Sequence, residues 1–129
     1  MSVVPIQLSA SSLRLRRGGG IRAERDAQGS ASDDWRLTVF HAKTAEDVHS
    51  DHWEVHPDAD EVVSCLIGKI RLCLRPEPAE SAGRGGEEVR LPAGTAAIVP
   101  RGRWHRIELD VPSSIMTVTV PRGSRLEQR

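Results

Sequence analysis

The densest group of potential metal ligands and acid–base groups in this chain lies in residues 51–61, DHWEVHPDADE. Two histidines, two glutamates and three aspartates occupy seven of these eleven positions. An apolar run that ends at Gly68 follows them. Imidazole and carboxylate groups bind divalent metal ions, and they also transfer protons. The segment is therefore either a highly charged solvated loop or the entrance of a strand that carries a functional site.

Strand alternation groups several of these side chains together, because alternate residues of a strand share a face. In residues 52–56 it places three ligand-type side chains on one face: His52, Glu54 and His56. In residues 104–109, His105 shares its face with Ile107 and Leu109, which predicts that its ring points into an apolar interior. Glu61 joins this interior if it follows the parity of Val63, Cys65 and Ile67. Four such donors from separate strands would suit Zn, Fe, Mn or Ni.

Short strands must position these groups, because period-two segments separated by turn signals dominate the chain. The predicted strands are VVPIQL, SLRLRR, WRLTVFHA, HWEVH, EVVSCLIGKIRLCLR with a bend at Gly68, VRLPAG, TAAIVP, RWHRIELDV and SIMTVTVP. Residues 18–34 and 76–88 are predicted loops, KTAEDVHSD holds at most a helical turn, and residues 122–129 form a polar tail. No long amphipathic helix is present, so the pattern predicts an all-β sandwich or barrel.

Length and composition limit the classes of function. The 129 residues suit one domain, with N-terminal strands and a loop in 1–34, a barrel core in 35–121 and the polar tail in 122–129. Eighteen basic residues balance eighteen acidic ones, which argues against a nucleic-acid partner. No apolar run is long enough for a membrane span, and no signal peptide is recognisable, so a cytoplasmic protein is expected. Cys65 and Cys73 are therefore expected to be free buried thiols.

Two motifs give the chain a family resemblance. The segment from His56 to Glu61, followed by Gly68, resembles the second half of the first cupin motif. The segment from Gly94 to His105 is similar to the second motif, G-x5-P-x-G-x2-H. The chain thus resembles a small stand-alone cupin, which implies a double-stranded β-helix (jelly-roll) barrel in a single cupin domain, commonly a homodimer, with one divalent metal ion held by three histidines and a glutamate.

The chain departs from that ligand pattern at one position, where Glu54 stands in place of the family's first histidine. The resemblance then implies a metal set of Glu54, His56, Glu61 and His105. Glu54 is either a ligand itself or a carboxylate that orients an imidazole from outside the ligand set. Alternatively, the pocket holds no metal, and its histidines and glutamates pair with each other.

Further residues are candidates for the rim of the pocket: His52, Trp104, Arg101 and Arg103. Together with Arg106, the arginines form either a solvated rim, which is the favoured interpretation, or a mouth that binds a carboxylate or phosphate. His41 and His49 are expected to be ordinary surface or packing residues. The VVPIQL segment and an outward-facing Trp53 are the expected contacts of a homodimer.

Three hypotheses about function follow. The first is a cupin that binds a divalent metal and acts on a small molecule. The second is a non-catalytic module that binds or senses a small ligand with a metal-free pocket. The third is metal-free isomerase or epimerase chemistry with His56 or His105 as general base. The sequence does not identify a substrate, since one fold serves many chemistries.

Overall fold

A computed structural model of the chain describes residues 2–25, 33–78 and 85–129. The described strands are β1 (Ser11–Leu15), β2 (Ile21–Arg25), β3 (Trp35–Ala42), β4 (His52–Val55), β5 (Glu61–Ile67), β6 (Lys69–Leu74), β7 (Glu87–Pro92), β8 (Thr95–Val99), β9 (His105–Leu109), β10 (Ser113–Thr119) and β11 (Arg125–Gln128). A short 3-10 helix (Ala45–Val48) lies where a helical turn was predicted. The all-β prediction is confirmed, and no helix in the described ranges is long and apolar enough to cross a membrane.

The strands form two antiparallel sheets. The six-stranded sheet has the order β2-β1-β3-β10-β5-β8, and the five-stranded sheet has the order β11-β4-β9-β6-β7. The core contains inward side chains of both sheets, with Val63, Cys65 and Ile115 from the first and Ile70 and Leu72 from the second. Both cysteines are free and buried, as predicted.

The predicted parity of β5 holds for Val63 and Cys65 but is wrong for Ile67, which is 64% exposed. The pairing of β5 with β10 shifts between Ser114 and Ile115, so that Ile115 lies opposite Cys65 while Ser114 lies opposite Ile67. Such a bulge reverses the facing of the residues beyond it, and alternation in one strand cannot show it.

Gly68 makes the predicted bend between β5 and β6. Its φ is +98°, a left-handed conformation that favours glycine. A Cβ atom at this position would also collide with the side-chain oxygen of Ser113 and with the carbonyl oxygen of Pro112. Any larger residue would therefore be strained here and would push β5 and β6 away from the start of β10.

Two predictions for the amino-terminal region are wrong. The VVPIQL segment forms no strand, and Val3 is fully exposed. Strand β2 lies within the predicted loop 18–34, where it pairs with β1; residues 26–32 of that loop lie outside the described residues. The polar tail contains β11, which pairs along the whole of β4. In the second predicted loop, β7 begins at Glu87, and residues 79–84 again lie outside the described residues.

Candidate metal centre

The four predicted donors converge at one end of the strands that carry them. Glu54 lies in β4, His56 follows that strand, Glu61 is the first residue of β5, and His105 is the first residue of β9. Glu54 and His105 are directly opposite each other where β4 pairs with β9. One ligand atom from each of the four side chains lies within 4.8 Å of all the others.

Glu61 is the central member of this cluster. It is 4% exposed and lies between His56 and His105, which are 7% and 2% exposed. One of its carboxylate oxygens is 3.2 Å from His56 Nε2, and the other is 2.7 Å from His105 Nε2. Glu54 Oε1 lies 3.1 Å from His56 Nε2 and 3.9 Å from His105 Nε2. Both carboxylates therefore face the Nε2 atoms of both rings.

These contacts change the protonation of the buried groups. Burial by itself would lower the pKa of His56, but Glu54 and Glu61 outweigh it and raise that pKa to about 10. Burial opposes the charge of Glu61 as well, yet the two imidazole rings lower the pKa of this carboxyl to about 2. The pKa of His105 is raised by Glu61 against the same effect of burial. Without a metal, the two carboxylates thus favour the protonated form of both rings.

This charge balance fits a divalent ion. An ion with two positive charges that displaces the two imidazole protons leaves the net charge of the cluster unchanged, so no new uncompensated charge is buried. In addition, the buried His105 Nε2 has its 2.7 Å ion pair with Glu61, one of the other three donors, as its nearest charged contact. Imidazole and carboxylate donors of this kind suit a metal such as Zn, Fe, Mn or Ni.

The Nδ1 atom of each imidazole ring, which faces away from the carboxylates, has a partner of its own. His105 Nδ1 lies 3.0 Å from the carbonyl oxygen of Arg103, which can only accept, so this nitrogen carries a proton. His56 Nδ1 lies 2.6 Å from the hydroxyl of Ser124. These contacts direct both Nε2 atoms toward the carboxylates, in the way that outer partners orient metal-binding histidines. Ser124 could not be predicted from the sequence, since a serine in a polar tail carries no signal of such a role.

Ser124→Ala is expected to weaken metal binding by roughly 10-fold, because His56 loses the group that fixes its ring orientation. Ser114→Ala is the matched control, since Ser114 makes the same kind of bond, 3.0 Å long, to His41 outside the cluster. Metal affinities of both variants, measured against a competing chelator, check this expectation. Equal affinities in the two variants would contradict it.

The cluster opens into a cavity of about 600 Å³ between the two sheets. Beyond the four donors, β3 lines this cavity with Arg36, Thr38 and Phe40, and β10 lines it with Thr117 and Thr119. His52 also lines it, and its Nδ1 lies 2.8 Å from the carboxylate of Asp51. His41 and His49, expected to be surface or packing residues, border the same cavity.

The other three predicted rim residues do not line the cavity. Arg103 is 3% exposed, and its guanidinium donates to the carbonyl oxygens of Arg75 and Gly85. Arg101 is exposed, and its backbone N–H donates to the carboxylate of Asp60. Trp104 lies against the guanidinium groups of Arg75 and Arg125. Alternation did not reveal these positions, because each depends on a partner far away in the sequence.

Comparison with solved structures identifies the fold. No protein-family model matches the chain, and no curated protein sequence matches it either. An uncharacterized conserved protein with a double-stranded beta-helix domain from Klebsiella pneumoniae superimposes with a TM-score of 0.55 at 19% identity, over 77% of this chain and 79% of that one. The chain has a cupin fold. The predicted double-stranded β-helix is thereby confirmed.

Two enzymes share this cupin fold at greater distance. Oxalate oxidase in complex with the substrate analogue glycolate is 15% identical, with a TM-score of 0.51 over 71% of this chain and 44% of that one. Hydroquinone 1,2-dioxygenase from Sphingomonas sp. TTNP3, with 4-hydroxybenzoate bound, is 16% identical, with a TM-score of 0.50 over 78% of this chain and 64% of that one. The chain spans less than two thirds of either enzyme chain, and at these identities the likeness shows the cupin fold alone.

Proposed function

We propose that the chain binds one divalent metal ion through Glu54, His56, Glu61 and His105 and acts on a small molecule that reaches the ion through the cavity. The observation that carries this proposal is the convergence of the four ligand atoms within 4.8 Å. A bound ion would supply Lewis-acid or redox chemistry. The oxalate oxidase and dioxygenase neighbours provide examples of enzymes on this fold.

The four residues contribute differently to this site. His56 and His105 bind as neutral imidazoles whose Nδ1 atoms are held by Ser124 and by a backbone carbonyl. Glu61 is buried, whereas the Glu54 side chain is 42% exposed, so a ligand entering the cavity meets Glu54 first. Two carboxylates neutralise a divalent ion, which makes a bound water less acidic. This favours oxygen-dependent or binding roles over hydrolysis at neutral pH.

The second candidate is a metal-free module that binds or senses a small ligand. It is supported by the same ion pairs, because Glu61 already satisfies His56 and His105 without any ion. The third hypothesis, isomerase or epimerase chemistry with a histidine base, receives less support. Because its neighbours raise the pKa of His56 to about 10, this ring holds its proton at neutral pH and cannot accept another.

Elemental analysis of the metal-loaded protein tests the proposal, with about one ion per chain as the expected result. Glu54→Gln should weaken binding roughly 10- to 100-fold, because a neutral amide replaces a carboxylate donor. Glu54→His should bind at least as tightly as the parent protein near neutral pH. If both variants bind like the parent, Glu54 is not a ligand. If the parent protein binds none of Zn, Fe, Mn and Ni, the metal-free module becomes the better description.

We also propose that the chain forms a homodimer through the outer face of the six-stranded sheet. Cross-strand register places Ile21, Trp35 and Ile98 on this one face, and the first and last of them are 67% and 70% exposed. The expected contact Trp53 is less suitable, because the guanidinium groups of Arg75 and Arg106 lie over its ring. A continuous exposed apolar face of this kind marks an interaction surface.

Sedimentation at micromolar concentration is expected to show a dimer that Ile98→Asp converts to monomers, because a buried charge opposes association. Val111→Asp is the control, since it introduces the same charge at an exposed apolar residue in the connection between β9 and β10, outside the strands that form this face. A monomeric parent protein would contradict the proposal.

A further inference from the structure

Arg36 lines the cavity from the six-stranded sheet. It lies in β3, on the same face as Thr38 and Phe40, and all three line the cavity. Its cross-strand partner is Thr119 in β10, and that threonine lines the cavity as well. The inward face of β3 is thus polar at this level, whereas its apolar residues Leu37 and Val39 belong to the opposite face.

The register of three strands places Arg36 level with Glu61. Strand β10 lies between β3 and β5, and Val118 is paired with Leu37 on one side and with Val62 on the other. The next residue along β10 is Thr119, which is paired with Arg36, and the next residue along β5 is Glu61. Their backbones are therefore two strand spacings apart, about 10 Å. An arginine side chain and a small ligand together can span the space between this wall and the cluster.

The charges around the cavity make this arginine relevant to the choice of ligand. The two carboxylates of the cluster cancel the charge of a divalent ion. A ligand with one negative charge would therefore leave the site with a net charge of about −1. Asp47, which also lines the cavity and accepts the backbone N–H groups of Lys43 and Thr44, adds to that excess. A guanidinium is permanently charged, and its planar donors match a carboxylate.

Arg106 does not provide this charge inside the cavity. Although it borders the cavity, it has the opposite parity to His105 and Ile107 in β9. Its guanidinium lies 5.2 Å from the centre of the Trp53 ring and pairs with Glu108 on the outer face of the five-stranded sheet. The anion-binding mouth considered from the sequence, built from Arg101, Arg103 and Arg106, is therefore replaced by a single arginine on another strand.

We propose that Arg36 is the anion subsite of the cavity and that the ligand is a small carboxylate whose carboxyl group binds this guanidinium while its other end reaches the metal position. The inference rests on the metal site proposed above. The hydroxyls of Thr38 and Thr117, which face each other across β3 and β10, lie beside this subsite. Phe40 and Ile107 supply apolar surface for the carbon skeleton.

Calorimetric titration with benzoate, and with butyrate as a smaller probe, tests the inference. Each acid is compared with its neutral amide, benzamide or butyramide, on both metal-loaded and metal-free protein. We expect at least one acid to bind about 10-fold or more tightly than its amide, as for a charge-assisted hydrogen-bonded pair. Arg36→Gln should remove this preference while the metal content stays at one ion per chain, and Arg36→Lys should restore part of it.

Arg101→Gln is the matched control, because it removes an arginine that the cavity does not contact, and it should keep the preference. Equal binding of acids and amides by the parent protein, or an unchanged preference in a folded Arg36→Gln variant, would overturn the inference. Either result leaves the metal content untouched and so does not contradict the metal site. Conversely, a parent protein that binds carboxylates through Arg36 but binds no metal contradicts the metal site alone.

Discussion

Replacing His105 or His56 with alanine is expected to lower the affinity for the divalent ion by at least about 100-fold, more than the loss of a contact outside the ligand set. Each substitution removes one of four donors whose ligand atoms lie within 4.8 Å of one another. It also leaves Glu61 buried with one imidazole partner fewer, which allows the pKa of that carboxyl to rise toward its unpaired value. The double variant should retain no stoichiometric metal.

Elemental analysis after dialysis, together with a chelator competition, measures this effect. His41→Ala is the control, because His41 borders the cavity but bonds to Ser114 and lies outside the cluster. Thermal unfolding separates lost binding from lost folding, and His105→Asn provides a second variant that keeps a polar group at the buried position. One ion per chain in the folded double variant would rule out the assignment of these ligands.

Metal affinity is also expected to rise steeply with pH around neutrality. Because the pKa of His56 is raised to about 10 and that of His105 is raised as well, the ion competes with protons at both rings. Two protons released per ion correspond to an increase in affinity of about 100-fold per pH unit, which declines as the rings lose their protons in the metal-free protein. Because the pKa of Glu61 is about 2, the buried carboxylate stays ionised throughout this range.

The stability of the metal-free protein should change in the opposite direction. A histidine whose folded pKa is raised stabilises the fold fully below its unfolded pKa, and this contribution disappears as pH rises through the folded value. For His56 that interval runs from 6.5 to about 10. Metal-free protein should therefore lose stability over this interval, whereas metal-loaded protein, in which the ion has already displaced the His56 proton, should not show this decline.

Calorimetric metal titrations near pH 7, in buffers with different ionisation enthalpies, count the displaced protons. We expect about two per ion for the parent protein and for His41→Ala, and fewer for Glu54→Gln, because Glu54 helps to keep the proton on His56. Uptake of the metal without proton release would show that both rings are neutral in the metal-free protein and would contradict the ion-pair description of the cluster.

The core of the candidate site could be predicted because it depends on local alternation. His105 follows the parity of Ile107 within its own strand, and Glu61 follows that of Val63, so one-dimensional periodicity was enough to place them in the barrel. The positions of the turns at Pro57 and Pro100 could be predicted equally well, since proline restricts its own backbone and that of the preceding residue.

The parts that could not be predicted depend on pairing between distant segments. Strand β11 is short and exposed throughout, and it forms through backbone hydrogen bonds to β4, which leave no pattern in the sequence. Ile67 is exposed because β5 has one extra residue in its pairing with β10. Arg36 faces inward and Leu37 outward because the interior at this level is a cavity lined partly by charged and polar side chains, whereas the outer face is apolar.

The same long-range pairing sets the order in which the site can form during synthesis. The segment from Glu54 to Glu61 leaves the ribosome first, but His105 follows more than forty residues later, and Ser124 and the strand that borders Glu54 follow last. A nascent chain therefore exposes two acidic donors and a histidine before it can bury them. Folding of the amino-terminal strands during synthesis therefore cannot complete the proposed metal site, which needs the carboxy-terminal third of the chain.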